Sequence, residues 1–262
     1  MVFKLGGEKI YEEAGSSPWV AIVGWLIMLI ILYFAFASND FANPAILFSP
    51  VLLWLIVIMP HDNWKSVKRF FGLYVPSNKE WLIPLMLIFG GISAWLMLFL
   101  LNNVGMSNGL FVANMSSTPD IYSGIIYAIM ANLVIAVGEN FFVIGSSHYL
   151  SNWLYGKYNI DARSAALLGL LIAIILWCSS HIFHYTISMG SDISVYFGLI
   201  FTGTIMFGLG YIFEPLIEPS PRFALELYPI YFSLAFHLVY NVLIALNMAA
   251  IPITILGIPI VS

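Results

Sequence analysis

Long apolar runs separated by short polar breaks occupy most of this chain, and their lengths predict its elements. A helix that crosses the hydrocarbon core of a bilayer needs about 20 mostly apolar residues. Pro18–Ala37, Pro44–Met59, Trp81–Leu101, Ile121–Ile144, Ala165–Ile187, Ile193–Phe213 and Leu227–Ala245 reach or approach that length. An eighth run, Ile251–Val261, is short and broken by Pro252 and Pro259, which suits a truncated span or a re-entrant piece. The pattern predicts an all-α, polytopic membrane helical bundle of seven or eight transmembrane helices. No internal repeat or low-complexity tract divides the chain, so residues 1–262 are read as a single integral membrane domain. The first run is too long for the apolar core of a signal peptide and follows five charged residues from Lys4 to Glu13, so it is expected to stay as a span.

Composition strengthens this picture. Charged residues make up 8% of the chain and hydrophobic ones 61%, against about 25% and 45–50% in soluble domains. The lipid bilayer is the partner such a surface demands. A net charge of −4 comes with neither a basic stripe nor an acidic tail, so no nucleic acid is expected as a partner. The single cysteine, Cys178, can form no disulfide within the chain and reads as a small apolar packing residue.

Lys and Arg fall in alternate breaks, which sets an orientation. Lys65, Lys68, Arg69 and Lys79 follow the second run, Lys157 and Arg163 follow the fourth, and Arg222 follows the sixth. The breaks around Ser38–Ala42, Asn102–Asp120 and Ser188–Asp192 contain neither residue. With Lys4 and Lys9 ahead of the first run, the N-terminus is expected to be cytoplasmic and the protein to reside in the cell membrane. Asn114-Met115-Ser116 fits a glycosylation acceptor in an outer loop, a motif frequent by chance. Trp19, Trp25, Trp81 and Trp153 lie at or near run ends, where headgroup anchoring is expected. Thr204 and Gly208, with Gly198, Gly203 and Gly210, predict close packing of the sixth helix.

Against this background four polar side chains stand out: Glu139, His181, His237 and Asn241. Each lies in an apolar run, where an ionisable group is costly and marks a functional site by default. His237 and Asn241 are four residues apart, so on a helix they share a face. Glu139 has no Lys or Arg in its own run, so its partner has to come from another helix. His181 and His184 share a run three residues apart.

Two chemistries fit this inventory. Glu139, His181, His184 and His237 are zinc-compatible ligands, although the His-Glu-xx-His helix motif is absent. Without metal, Glu139 and one histidine act as general base on a water while donors on the His237 and Asn241 helix stabilise the oxyanion. The second scheme needs fewer coincidences.

The order Glu139-Asn140-xxx-Ile144-Gly145, then Trp177-xxx-His181, then His237-xxx-Asn241 resembles the CPBP family, the CAAX protease and bacteriocin-processing intramembrane glutamate proteases. That family's pattern is Glu-Glu-xxx-Arg, Phe-xxx-His and His-xxx-Asn or a close variant. The resemblance covers a CPBP-like core of approximately residues 121–246. It implies a metal-independent, CAAX-protease-like intramembrane endopeptidase without a cofactor, acting on a peptide or lipidated protein substrate near the cytoplasmic half of the bilayer. Glu139 and His181 are then the water-activating pair, and His237 and Asn241 bind the oxyanion. His184 has no counterpart in the pattern and reads as a packing or hydrogen-bonding residue.

Three positions depart from the pattern. Asn140 replaces the second glutamate, Ile144 replaces the arginine, and Trp177 replaces a phenylalanine. The two charges lost are four residues apart, an ion-pair spacing, so their joint loss leaves no orphan charge. Asn140 and Ile144 favour an alternative, a non-catalytic CPBP relative acting as a membrane subunit, immunity or chaperone-like protein with a membrane protein partner. The zinc-dependent intramembrane hydrolase is the other alternative. A transporter fits worst, since corresponding halves carry no paired broken helices. Depth adds a conflict: at the helical rise Glu139 lies about 8 Å, His237 about 15 Å and His181 about 24 Å from the expected cytoplasmic ends of their runs.

Overall fold

A computed structural model describes residues 18–38, 51–52, 67–68, 70–103, 121–182, 193–213, 216, 229–248, 254–255 and 258–259. Six long helices dominate: α1 (Pro18–Ser38), α2 (Leu82–Asn103), α3 (Ile121–Tyr158), α4 (Ala162–Ser180), α5 (Ile193–Tyr211) and α6 (Ile230–Met248). All six match predicted runs to within a few residues at their starts. Among the described residues, Leu82–Leu101, Asn132–Tyr158 and Ala162–Ser180 are long and apolar enough to cross a membrane, while Pro18–Phe34, Phe197–Tyr211 and Ile230–Ile244 are shorter apolar helices. The fold is therefore all-helical with three candidate spans, a coarser result than seven or eight. Of the second predicted run, only Val51–Leu52 is described. At the eighth, Thr254–Ile255 pairs antiparallel with Ile258–Pro259 in place of a helix, as the two prolines allow. The Asn114 acceptor motif and His184 lie outside the described residues.

The largest departure from expectation is α3. The fourth run is expected to end at Ile144, yet the helix continues to Tyr158 and is 38 residues long. Two of the polar residues that suggested an end, Ser147 and Ser151, bond their hydroxyls within the helix. Ser147 Oγ donates to the Ile144 carbonyl at 2.7 Å and Ser151 Oγ to that of Ser147. Such back-bonding satisfies a hydroxyl where water is absent. Every described residue of α3 from Phe142 to Leu150, and Ser151 after it, is buried, so this helix lies at the centre of the molecule. It packs most extensively on α4, then on α6 and α1, while α2 lies along α6 and α5 bridges α4 and α6.

α3 and α4 form an antiparallel hairpin around a tight turn, Asn159–Asp161. Asn159 takes a left-handed φ of 53°, which asparagine tolerates better than most residues. Asp161 caps α4 by accepting from the Ser164 backbone N–H at 3.1 Å. The two helices touch closely at Gly169, where any Cβ would collide with Ser151 and would lie 2.8 Å from the Ser147 carbonyl oxygen. A second close approach joins α2 to α6: a Cβ at Gly90 would strike the Phe232 carbonyl and lie 3.0 Å from Ala235 Cβ. In α5 the close contact falls at Gly203, whereas a Cβ at Gly208 would meet nothing within 4 Å. Thr204 bonds back to the Ile200 carbonyl. The expected Thr204 and Gly208 packing pair is thus corrected to Gly203, because the bulky neighbour, Trp177, stands on that other face.

The basic break after the second run also proves to be more than a surface loop. Phe71 is fully buried and stacks on Phe141 with ring centroids 4.4 Å apart, and Phe70 meets His148 and Tyr149 edge to face. Gly72, at φ 68°, presents its carbonyl to the Ile230 N–H that opens α6. Tyr231 Oη donates to the Leu73 carbonyl at 2.8 Å. Trp19 and Trp81 are exposed at helix starts as expected, whereas Trp25 turns inward and donates to Ser179 Oγ at 2.9 Å. Cys178 is a buried free thiol in the main apolar cluster.

Candidate functional site: a carboxylate between two histidines

The hairpin explains how Glu139 and His181 meet. Each is 21 residues from Ile160 at the centre of the turn, so antiparallel packing sets them opposite each other about 30 Å along the hairpin. This resolves the depth conflict, which arose from ending the fourth run too early. His237 comes from α6, about 10 Å beyond its first residue. The turn of the hairpin therefore reaches farther than the start of α6.

Three side chains converge on the Glu139 carboxylate. Trp177 Nε1 donates to Oε2 at 2.6 Å. His237 Nε2 lies 3.5 Å from the same oxygen, and His181 Nε2 lies 3.6 Å from Oε1. The indole contact is a short hydrogen bond, while the imidazole distances are beyond the usual hydrogen-bond range. Glu139 is thus anchored on one oxygen and flanked by two ring nitrogens at a distance one water can bridge. The Glu139 side chain retains 14% of its exposure, against 10% for His181 and 6% for His237.

Each imidazole is oriented from behind. His181 caps α4, and its Nδ1 lies 2.9 Å from the Trp177 carbonyl oxygen, with Ser180 Oγ at 3.4 Å. His237 Nδ1 lies 3.0 Å from Asn140 Nδ2, and the same Asn140 amide nitrogen donates to the Ala136 carbonyl at 2.7 Å. Trp177 is the hub of the packing. Its ring meets His181, Phe207 and His237 edge to face, and Gly203 makes room for it, since a Cβ there would lie 2.7 Å from Cζ3.

Of the four expected site residues, Glu139, His181 and His237 come together. Asn241 lies one turn beyond His237 and is buried, but among the described residues it makes no hydrogen bond to this group. Two residues treated as departures, Asn140 and Trp177, belong to the site instead. Trp177 had a readable signal, because it precedes His181 by four residues and so shares its helical face. Asn140 had none beyond its place next to Glu139. Among the described residues, no set of three His, Cys, Asp or Glu side chains is arranged to hold a metal ion. Compared with protein-family models, curated proteins and solved structures, the chain gives no match.

Proposed function

We propose that this chain is a metal-independent intramembrane endopeptidase of the CAAX-protease-like kind, in which Glu139 and His181 activate a water. The observation that carries this reading is the 3.6 Å separation of Glu139 Oε1 from His181 Nε2. The Trp177 carbonyl can only accept, so His181 carries its hydrogen on Nδ1 and turns a lone pair on Nε2 toward Oε1. Two acceptors facing each other at this distance call for a proton or a water between them. A water giving its hydrogens to both presents its own lone pairs outward, as a nucleophile needs.

In the reaction, that water's oxygen bonds to the scissile carbonyl carbon while its proton passes to the Glu139 and His181 pair. His237 and Asn241, on one face of α6, are the candidate donors to the developing oxyanion. The pair then returns the proton to the leaving nitrogen as the C–N bond breaks, releasing an acid and an amine. The Lys and Arg pattern puts the start of α6 on the cytoplasmic side, so His237 lies about 10 Å into the cytoplasmic half. A second reading, a non-catalytic membrane subunit, is favoured by one observation. Asn140 takes the place where a second carboxylate would complete the resemblance.

The two are separated by reconstituting the purified protein in liposomes and assaying cleavage of membrane peptides, with and without a prenylated C-terminus. Cleavage by the parent, falling about 10²–10⁴-fold in Glu139→Gln, is expected, the usual contribution of a general base. Equal rates in parent and variant, or no cleavage of any substrate by the parent, defeat the peptidase reading.

A further inference from the structure

Two histidines face one carboxylate, and the groups behind them differ in kind. Behind His181 is a carbonyl oxygen, which accepts; behind His237 is an amide nitrogen, which donates. The Asn140 amide cannot be turned around without setting its oxygen against the Ala136 carbonyl oxygen, where its nitrogen now sits at 2.7 Å. Its own Oδ1 is buried with no hydrogen-bond partner among the described residues, so the two contacts of Nδ2 decide its orientation.

We propose that Asn140 is a positioning residue that assigns opposite roles to the two histidines. By donating to Nδ1 it holds His237 in the tautomer that carries its hydrogen on Nε2, directed at Glu139 Oε2. His181, held the other way by the Trp177 carbonyl, presents a lone pair on Nε2 to Oε1. One imidazole is thereby a donor and the other a base, although both turn the same nitrogen to the same carboxylate. The asymmetry divides the carboxylate as well. Oε2 is the anchored oxygen, held by Trp177 and faced by the His237 N–H, and Oε1 is the oxygen that shares a proton with His181. A donor at His237 Nε2 is also what an oxyanion needs. The tautomer assignment rests on geometry alone, and its catalytic consequence rests on the peptidase reading.

An acceptor at position 140 would impose the reverse arrangement. In Asn140→Asp the oxygen that replaces Nδ2 has to move off the Ala136 carbonyl oxygen, which it would otherwise face at 2.7 Å, and accepts from Nδ1, so the His237 hydrogen moves there and Nε2 turns a lone pair to Glu139. The test is nitrogen NMR of the full-length protein in lipid with ring-labelled histidine, at neutral pH, with the His237 signals identified by their loss in His237→Gln. The parent is expected to show an unprotonated Nδ1 and a protonated Nε2 at His237, and the reverse at His181. Asn140→Asp is expected to protonate Nδ1 of His237 and leave His181 unchanged, and Asn140→Leu to give a mixture at His237. A protonated Nδ1 at His237 in the parent overturns the proposal without recourse to any Asn140 variant. An unaltered His237 signal in a folded Asn140→Asp overturns it equally. Where cleavage is measurable, Asn140→Asp should lower kcat about 10²–10³-fold with KM held, the loss seen when one oxyanion donor is removed. The expected tautomers in a protein that cleaves nothing support the Asn140 assignment and refute the peptidase alone.

Discussion

The central helix buries two polar regions less than three turns apart, and they behave differently. Glu139 and Asn140 face groups that complement them on α4 and α6, an indole N–H and two imidazoles, and Asn140 also donates to the Ala136 carbonyl of its own helix. The second region, Ser146 to Ser151, is at least as deeply buried. Its Ser147 and Ser151 hydroxyls bond back to their own helix, and His148 packs against the edge of Phe70 with centroids 5.4 Å apart. Burial is the same in both, but convergence is not. A buried histidine beside phenylalanine rings is a packing element, whereas one set against a carboxylate and oriented from behind has the parts of a proton-transfer site. Depth in an apolar run therefore marks a polar residue as costly, and only its partners show what the cost supports.

The sharpest way to break this comparison is to remove one histidine from each region. His181→Phe should lower cleavage about 10²–10⁴-fold, as removal of an acid or base group does. His148→Leu should leave the rate within a few-fold of the parent in the same liposome assay. Equal losses from both would erase the distinction between site and packing.

A smaller effect tests the hairpin that brings the site together. Gly169→Val puts side-chain atoms where Ser151 and the Ser147 carbonyl already stand, and overpacking of this kind costs about 1–3 kcal/mol. Thermal unfolding in detergent should show the loss, while the same change at Gly208, where a Cβ meets nothing within 4 Å among the described residues, should show far less. If Gly169→Val unfolds at the parent temperature, the close α3 and α4 contact is wrong, and the facing of Glu139 and His181 becomes doubtful with it.

The smallest effect belongs to the turn. Hydrogen bonds from Ser164 hold the Asp161 carboxyl below its ordinary value of 3.8. Because the folded value is the lower one, its contribution is present above the unfolded value and is lost as pH falls through the folded one. Asp161→Ala should therefore lower the unfolding temperature slightly at neutral pH, and the difference from the parent should shrink in acid below that range. A difference that persists unchanged in strong acid would show that the charge of the cap plays no part.

Much of the fold was legible because the bilayer imposes a local rule. Apolar runs of the right length must become helices, since no water is there to bond a bare backbone. The starts of α1, α2, α5 and α6 follow from this within a few residues. The rule failed at Ile144, where serines and a histidine look like the end of a span. The Ser147 and Ser151 hydroxyls bond to their own helix, and Phe70 covers His148 and Tyr149. That error in α3 hid His148 and produced the depth conflict for His181.

What the sequence determined by itself is whatever depends on neighbours along the chain: an apolar helical protein, His237 and Asn241 on one face, and Glu139 without Lys or Arg in its own apolar run. Helical periodicity and the scarcity of charge are local properties, so they can be read without a fold. Tertiary structure alone decided which of these groups meet. The Asn159–Asp161 turn sets Glu139 opposite His181, Gly203 admits the Trp177 ring, and Asn140 reaches His237 from a helix 97 residues away in sequence. These contacts depend on how four helices pack, and the direction of a hydrogen bond depends on both of its partners. The chemistry of Glu139 was thus set by contacts between helices, which spacing along any one of them does not fix.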